Sequence, residues 1–218
     1  MNALDILKMV VPFMLGTSYS IFNNISQKKV SNRAFPYVEE AYYPIDLNEI
    51  KVKENTRLYI CGDYSKIARN KEVDNQTKII YLKVTNLGPG HMVNCDFNIK
   101  TSSTALTTEW DFIVHIPIIR KDEVILIPTV KEEMNKIRIA TKSVNIKYLT
   151  HSQEEMEYNQ HLEKVNEDST LIKDSLHVNK SKNKFLKFFK RSKVLYEYEG
   201  KNSLFIYLDA KREKKFDS

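Results

Sequence analysis

Asn86-Leu87-Gly88-Pro89-Gly90-His91-Met92-Val93-Asn94 lies between two runs with strand character, Lys78–Thr85 and Met92–Lys100. It holds two of the five glycines in a chain of 218 residues. Two glycines so close together in a glycine-poor sequence are expected where the backbone takes conformations that other residues resist. The stretch therefore predicts a corner joining two antiparallel strands. It does not suit phosphate, because the G-x-x-x-x-G-K-[ST] spacing is missing and a strand follows, so no helix N-terminus is offered.

Strand signals continue on both sides of the corner. Ile80, Leu82 and Val84 alternate with Ile79, Tyr81 and Lys83, as in a half-buried strand. Val93, Cys95, Phe97 and Ile99 are expected on one face of the next run, with Asn94, Asp96 and Asn98 on the other. Trp110–Ile119 and Ser143–Leu149 alternate in the same way, and Arg57–Cys61, Val124–Ile127 and Ile137–Ala140 add shorter runs. Gly62-Asp63 and Arg120-Lys121-Asp122-Glu123 read as turns, while Met156–Val165 suits either a strand or a short helix. About seven short strands with regularly spaced turns make an antiparallel sandwich the expected architecture. Residues 166–193 break the rhythm and read as a charged insertion or mobile arm with helical tendency. Val194–Tyr198 and Leu204–Leu208, around Glu199-Gly200-Lys201-Asn202, read as a terminal hairpin, followed by a charged tail to Ser218.

Tyr81-Leu82-Lys83-Val84-Thr85-Asn86-Leu87-Gly88-Pro89-Gly90, followed by Asn94, resembles a turn common in bacterial immunoglobulin-like sandwich proteins. Their pattern runs roughly N-x-G-x-G-P-A-x-N between two strands, and this chain departs from it at His91 and Met92. Ile116-Pro117-Ile118-Ile119 before the charged turn, and Ile146-Lys147-Tyr148, look like two further landmarks of that family. The likeness spans about residues 57–165. It implies an immunoglobulin-like sandwich, often accompanied by an N-terminal membrane segment, and it supplies no catalytic residues to carry over.

The expected fold is thus mainly β, an antiparallel immunoglobulin-like sandwich with an N-terminal helix and a C-terminal arm plus hairpin. Its expected segments are an amphipathic or anchoring helix at 1–27, a connector at 28–56, the sandwich at 57–165, the arm at 166–193 and the hairpin and tail at 194–218. Leu4 to Phe22 is the candidate membrane segment, diluted by Asp5, Lys8 and Pro12. About 20 clean apolar residues would make a confident span. Its apolar stripe suits a single span, an interfacial helix or a helix packed on the protein's own core. Lys28, Lys29 and Arg33 follow it, so a spanning segment would leave the bulk of the chain in the cytoplasm.

The net charge of +6 is concentrated rather than spread. Glu154, Glu155, Glu157, Glu163, Glu167 and Asp168 make one segment acidic, and the lysines and arginine of 180–193 make the next strongly basic. Within it Lys184, Phe185, Lys187, Phe188, Phe189, Lys190 and Arg191 interleave cations with aromatic rings. That mixture suits an anionic lipid surface. It also suits nucleic acid or an acidic protein partner, with rings for base stacking, or simply a docked helix with solvated lysines.

The five histidines form no H-x-x-x-H or H-E-x-x-H spacing, and G-x-S-x-G is absent. His151 and His161 are spaced to face each other across a hairpin near Glu154 or Glu155, and His91 reads as a turn residue. Cys61 and Cys95 read as two buried thiols in a reducing compartment, or as one disulfide across an extracellular sandwich. No catalytic residue, metal site or cofactor is expected. Asn86, Gly88, Gly90 and Asn94 are expected as structural turn residues. The functional expectation is a non-enzymatic binding or accessory module associated with a membrane; the alternative is a soluble protein that binds nucleic acid or an acidic partner through 180–193.

Overall fold

A computed structural model describes residues 20, 23–24, 27–45, 55–69, 78–103, 108–131, 139–166, 169–179 and 193–203. The strands are β1 (Pro36–Pro44), β2 (Thr56–Leu58), β3 (Lys78–Asn86), β4 (Met92–Ser103), β5 (Glu109–Ile119), β6 (Val124–Pro128), β7 (Ile139–Thr150), β8 (Glu155–Asn166), β9 (Ser169–Asn179) and β10 (Lys193–Ser203). One helix, α1 (Gly62–Arg69), separates β2 from β3. The fold is mainly β, as expected. Four strands form one sheet in the order β1-β3-β6-β2, and six form a second in the order β10-β9-β8-β7-β4-β5. All pairings are antiparallel except the short parallel contact of β2 with β6.

The main core lies between the sheets. Val38, Leu82, Val84, Ile125 and Ile127 meet Phe97, Ile99, Val114, Val144, Ile146, Tyr148, Met156 and Leu176 there. A second cluster covers the opposite face of the four-stranded sheet, where Tyr64 and Ile67 of α1 pack on Tyr81, Leu126 and Val130. Tyr64 donates its hydroxyl to the Ile45 carbonyl (2.6 Å), and Tyr81 donates to that of Pro44 (3.2 Å). These bonds keep each phenol paired where its ring is buried. The smaller sheet is therefore sandwiched, with strands on one side and a helix on the other.

The glycine corner works differently from the expectation. None of the described glycines has a positive φ; the left-handed residues are Asn94 (φ 50°), Asp122 (57°) and Gln153 (59°). Gly88 and Gly90 are needed for lack of a Cβ, because the chain entering β1 runs directly over them. A Cβ at Gly88 would lie 2.5 Å from the Arg33 carbonyl oxygen and 2.6 Å from Ala34 Cα and Phe35 N. Asn86, fully buried, ties the corner together. Its Oδ1 accepts from Gly88 N (3.2 Å), and its Nδ2 donates to the carbonyls of Gly90 (2.8 Å) and Arg120 (3.2 Å).

Asn94 sits in a β-bulge, since β4 runs from Val93 to Asp96 while β7 runs only from Leu149 to Lys147. The extra residue changes the phase of the strand. Met92 and Cys95 both reach the core as a result, and Val93, expected on the core face with Cys95, does not.

Several other expectations need correction. The 28–56 connector contains a helical segment at 27–31 and the nine-residue strand β1. Gly62-Asp63 opens α1 rather than a turn. Of the two readings offered for Met156–Val165, the strand is the one formed, within β8. Within 166–193, expected as an insertion or mobile arm, residues 169–179 form β9, which pairs along its length with β8. The turn expected at Glu199–Asn202 is instead the C-terminal part of β10, where Gly200 pairs with Ile172. Charge hid β9, which carries Lys173 and Asp174, and broke the reading of β10, expected as a strand only over Val194–Tyr198, at Glu199. β10 is an edge strand and β9 the next one in, and strands at or beside a sheet edge tolerate charge because less of their surface is covered.

Candidate functional site

The six-stranded sheet is wider than its partner, and the registers show where the cover ends. Val114, Phe97, Ile146, Tyr158, Leu176 and Tyr196 stand in one row across the core face, from β5 to β10. Phe112, Ile99, Val144, Gln160, Asp174 and Tyr198 form the next row. Directly opposed residues share a face, so both rows point towards the smaller sheet. Both are apolar and largely buried from β5 to β7, yet at β10 Tyr196 and Tyr198 are each 47% exposed.

The reason is the position of β1, the edge strand of the smaller sheet. Tyr148 of β7 donates its hydroxyl to the Ala34 carbonyl (2.8 Å), and Gln160 Nε2 of β8 donates to the Val38 carbonyl (3.2 Å). β1 therefore lies over β7 and β8. Two strands at the usual spacing, about 10 Å of sheet, project beyond it as an open wing.

Asp174 sits at the inner end of that wing. Burial pushes its carboxyl above the ordinary carboxylate range, against the opposing effect of hydrogen bonds from Gln160 and Tyr158. Its Oδ1 is buried and accepts no hydrogen bond. Burial also raises the Tyr158 and Tyr196 hydroxyls, with the Asp174 charge the next cause for each. Tyr37 on β1 is half-exposed and is raised by burial, then by Glu39, with a smaller push from Asp174. The wing thus gathers an acid with an unused acceptor among tyrosines from two strands of one sheet, β8 and β10, and the edge strand β1 of the other.

Raising a carboxyl on folding has a defined sign. The favourable contribution is complete below the unfolded value of about 3.9 and is lost as pH rises through the higher folded value. At neutral pH the ionised Asp174 therefore destabilises the fold. Asp174→Asn removes the buried charge while keeping the shape of the side chain. The variant is expected to melt a few degrees above the parent at pH 7, with the gap closing as pH falls towards 4. Thermal melts across that range check it; a variant that melts lower at pH 7 contradicts the account.

The opposite face of the same strands carries a polar ladder. Ser143, His161, Lys173 and Glu199 form one row, and Asn145, Asn159, Ser175 and Glu197 the next. Together they line a shallow depression of about 350 Å³. Its groups largely answer one another. Asn145 Nδ2 donates to Asn159 Oδ1 (2.5 Å) and Glu157 Oε1 (2.9 Å), His177 pairs with Ser175 (3.0 Å), and Lys173 Nζ lies 3.6 Å from Glu199. That face has less unmet capacity than the wing.

The expected site residues are distributed as follows. Asn86, Gly88 and Gly90 come together in the corner, while Asn94 stands apart in the bulge. His91 is a turn residue whose Nδ1 accepts from Lys121 N (3.2 Å). His151 lies in the turn after β7, whereas His161 pairs opposite Ser143 well along β8, so the two do not meet. Among the described residues, no three His, Cys, Asp or Glu side chains are grouped to hold a metal ion. Cys61 and Cys95 are free thiols, and burial pushes that of Cys95 up to about 12. A thiol so rarely ionised is a poor nucleophile. Lys184, Phe185, Lys187, Phe188, Phe189, Lys190 and Arg191 lie outside the described residues, as does nearly all of 1–27.

Asp174, Tyr196 and Tyr198 belong to no sequence motif. The available signal was the phase of β9: Ile172, Asp174, Leu176 and Val178 alternate, with a carboxylate in an apolar position. Comparison with protein-family models, curated proteins and solved structures returned no match for the chain.

Proposed function

We propose that the chain is a non-enzymatic binding or accessory module on an immunoglobulin-like sandwich, held at a membrane with its bulk in the cytoplasm. The strand order supports the immunoglobulin-like part. β1, β3 and β6 face β4, β7 and β8, as strands A, B and E face C, F and G in that fold, with β5 beside β4 in the second sheet. In that comparison β2, α1, β9 and β10 are additions. The observation that carries the binding part is the wing, where half-exposed tyrosines surround a poorly satisfied carboxylate. Such a surface costs stability and is kept for contact.

The membrane part rests on the sequences of 4–22 and 182–191. Among the described residues, no helix is long and apolar enough to cross a membrane. Flotation with anionic vesicles tests it, comparing the intact chain with a version lacking 1–27 and with a Lys184→Gln, Lys187→Gln, Lys190→Gln variant. The intact chain is expected to float, and each change to weaken flotation. An intact chain that stays in solution refutes membrane association. A salt-dependent shift of RNA or DNA, lost in the triple variant, would instead favour nucleic-acid binding.

A further inference from the structure

We propose that β5, an edge strand of the larger sheet, pairs antiparallel with β5 of a second copy of this chain. The two-fold axis passes through Ile113 and joins the two six-stranded sheets into one. The inference goes beyond the binding-module reading and uses neither the wing nor the membrane.

Among the described residues β5 pairs only with β4, so one side of this 11-residue strand is unmatched. The hairpin fixes which backbone groups face that side. Ser103 N donates to the Thr108 carbonyl (3.1 Å), so Thr108 turns its polar groups towards β4. Alternation along the strand does the same for Trp110, Phe112 and Val114, and aims the N–H and C=O of Asp111, Ile113 and His115 outwards. Pro117 falls in the outward set, where its missing N–H takes nothing from the ladder with β4. The edges of the smaller sheet compare poorly, since β1 has a proline at each end and β2 spans three residues.

The side chains decide the register. Asp111, Ile113 and His115 are all exposed, and Ile113, at 82%, is the most exposed large apolar residue among those described. An axis at Ile113 sets this residue against its own copy and Asp111 against His115. Moving the axis to Phe112 or Val114 keeps the backbone match but sets Ile113 against Asp111 or His115. Only the first register opposes apolar with apolar and acid with base. The charges continue inwards from the edge. His115 pairs with Asp96 of β4 (2.7 Å), Asp96 stands opposite Lys147 of β7, and Asp111 stands opposite Lys100. Across the axis the row reads Lys147, Asp96 and His115, then Asp111 and Lys100 of the second copy. It alternates in sign throughout when His115 is protonated. A carboxylate only accepts, so Nδ1 donates to Asp96, and Nε2 of a protonated ring remains for Asp111 of the second copy.

This pattern selects a second copy over an unrelated strand. An open edge offers backbone bonds to any extended segment. An isoleucine flanked by groups of opposite sign at equal spacing is complementary to itself about one point, as a closed two-fold contact requires. The three outward pairs exchange about six backbone hydrogen bonds. Beyond them Glu109 meets Pro117 of the second copy, which has no N–H to give. The ladder is therefore short, and the dimer is expected to be reversible.

The test follows the full chain by sedimentation velocity from about 1 μM to about 1 mM, where a monomer–dimer equilibrium is expected. Ile113→Lys brings two ammonium groups together at the axis. It is expected to weaken dimerisation at least tenfold and, the site being exposed, to leave the melting temperature of the dilute chain unchanged. Cross-linking under mild oxidation reads the register. Directly opposed residues of a hydrogen-bonded pair have Cα atoms about 5.5 Å apart, within reach of a disulfide. Asp111→Cys chains mixed with His115→Cys chains are therefore expected to link to each other at least tenfold faster than either links to itself. Dimerisation is also expected to tighten several-fold from about pH 8 to about pH 6, the range in which imidazoles titrate, and His115→Gln to abolish that response. A parent that stays monomeric throughout overturns the proposal, as does a dimer indifferent to Ile113→Lys. Self-linking as fast as mixed linking overturns the register, and a pH response kept by His115→Gln overturns the pairing of His115 with Asp111.

Discussion

Gly90→Ala is expected to lower the melting temperature by roughly 6–12 °C, the equivalent of about 3 kcal/mol in a domain of this size. A Cβ there would overlap the Asn32 carbonyl oxygen and come within 2.8 Å of its carbon. Both are backbone atoms, so no side-chain rotation relieves the clash. The segment at 32–35 has little room to retreat. Leu87 N donates to the Phe35 carbonyl (2.9 Å), Tyr148 holds the Ala34 carbonyl (2.8 Å), and Arg33 is tied to Glu154. Gly62→Ala provides the control, since a Cβ at Gly62 meets nothing within 4 Å and the residue opens α1. That change is expected to be neutral or slightly stabilising. Differential scanning calorimetry of both variants decides it; a Gly90→Ala melt within a degree of the parent would mean that the corner is not the close crossing described.

Breaking the Arg33–Glu154 pair is the second large effect. Arg33 Nε lies 3.0 Å from Glu154 Oε2 and one terminal nitrogen 3.1 Å from Oε1, a bidentate arrangement. The side chains retain only 15% and 12% of their exposure, so this is not an ordinary surface pair. Its place in the fold matters too. Glu154 N donates to Thr150 Oγ1 (3.1 Å) in the turn joining β7 to β8, and the left-handed Gln153 precedes it. The pair thus fastens the chain entering β1 to the larger sheet.

Removing one partner leaves the other charge buried, which costs about 3–5 kcal/mol. Arg33→Ala and Glu154→Ala are each expected to lose about 3 kcal/mol in urea unfolding. The double variant Arg33→Met, Glu154→Leu is expected to recover most of that loss, because two apolar groups leave no charge stranded. Single variants within about 0.5 kcal/mol of the parent would place the pair among solvent-screened contacts.

Both predictions concern the same short segment, and its role was not legible in the sequence. Asn32-Arg33-Ala34-Phe35 has no periodicity and sits in a stretch expected to be a connector. Only the fold shows that it crosses Gly88 and Gly90 and explains why they are glycines. By contrast, β3 to β7 could be located to within a few residues. β4 and β5 bury one face and wet the other, so hydrophobicity alternates along them, while β3 and β6, covered on both faces, stand out as apolar runs. β1, β9 and β10 were obscured because they sit at or near sheet edges. There an inward position can carry Glu40, Asp174 or Tyr198 without being driven from water, and the alternation fades.

The wing was hidden for a related reason. Its chemistry depends on Asp174 and Tyr198 standing opposite each other 24 residues apart, and on β1 ending its cover at β8. The distribution of apolar residues was enough to specify a mainly β chain with a corner at Asn86–Asn94, because alternation is a local consequence of the pleat. Which strands lie at the edges, and therefore which tyrosines remain half-exposed, depends on the relative widths of the two sheets. That width is set by pairings between distant segments, and only their assembly brings it into being.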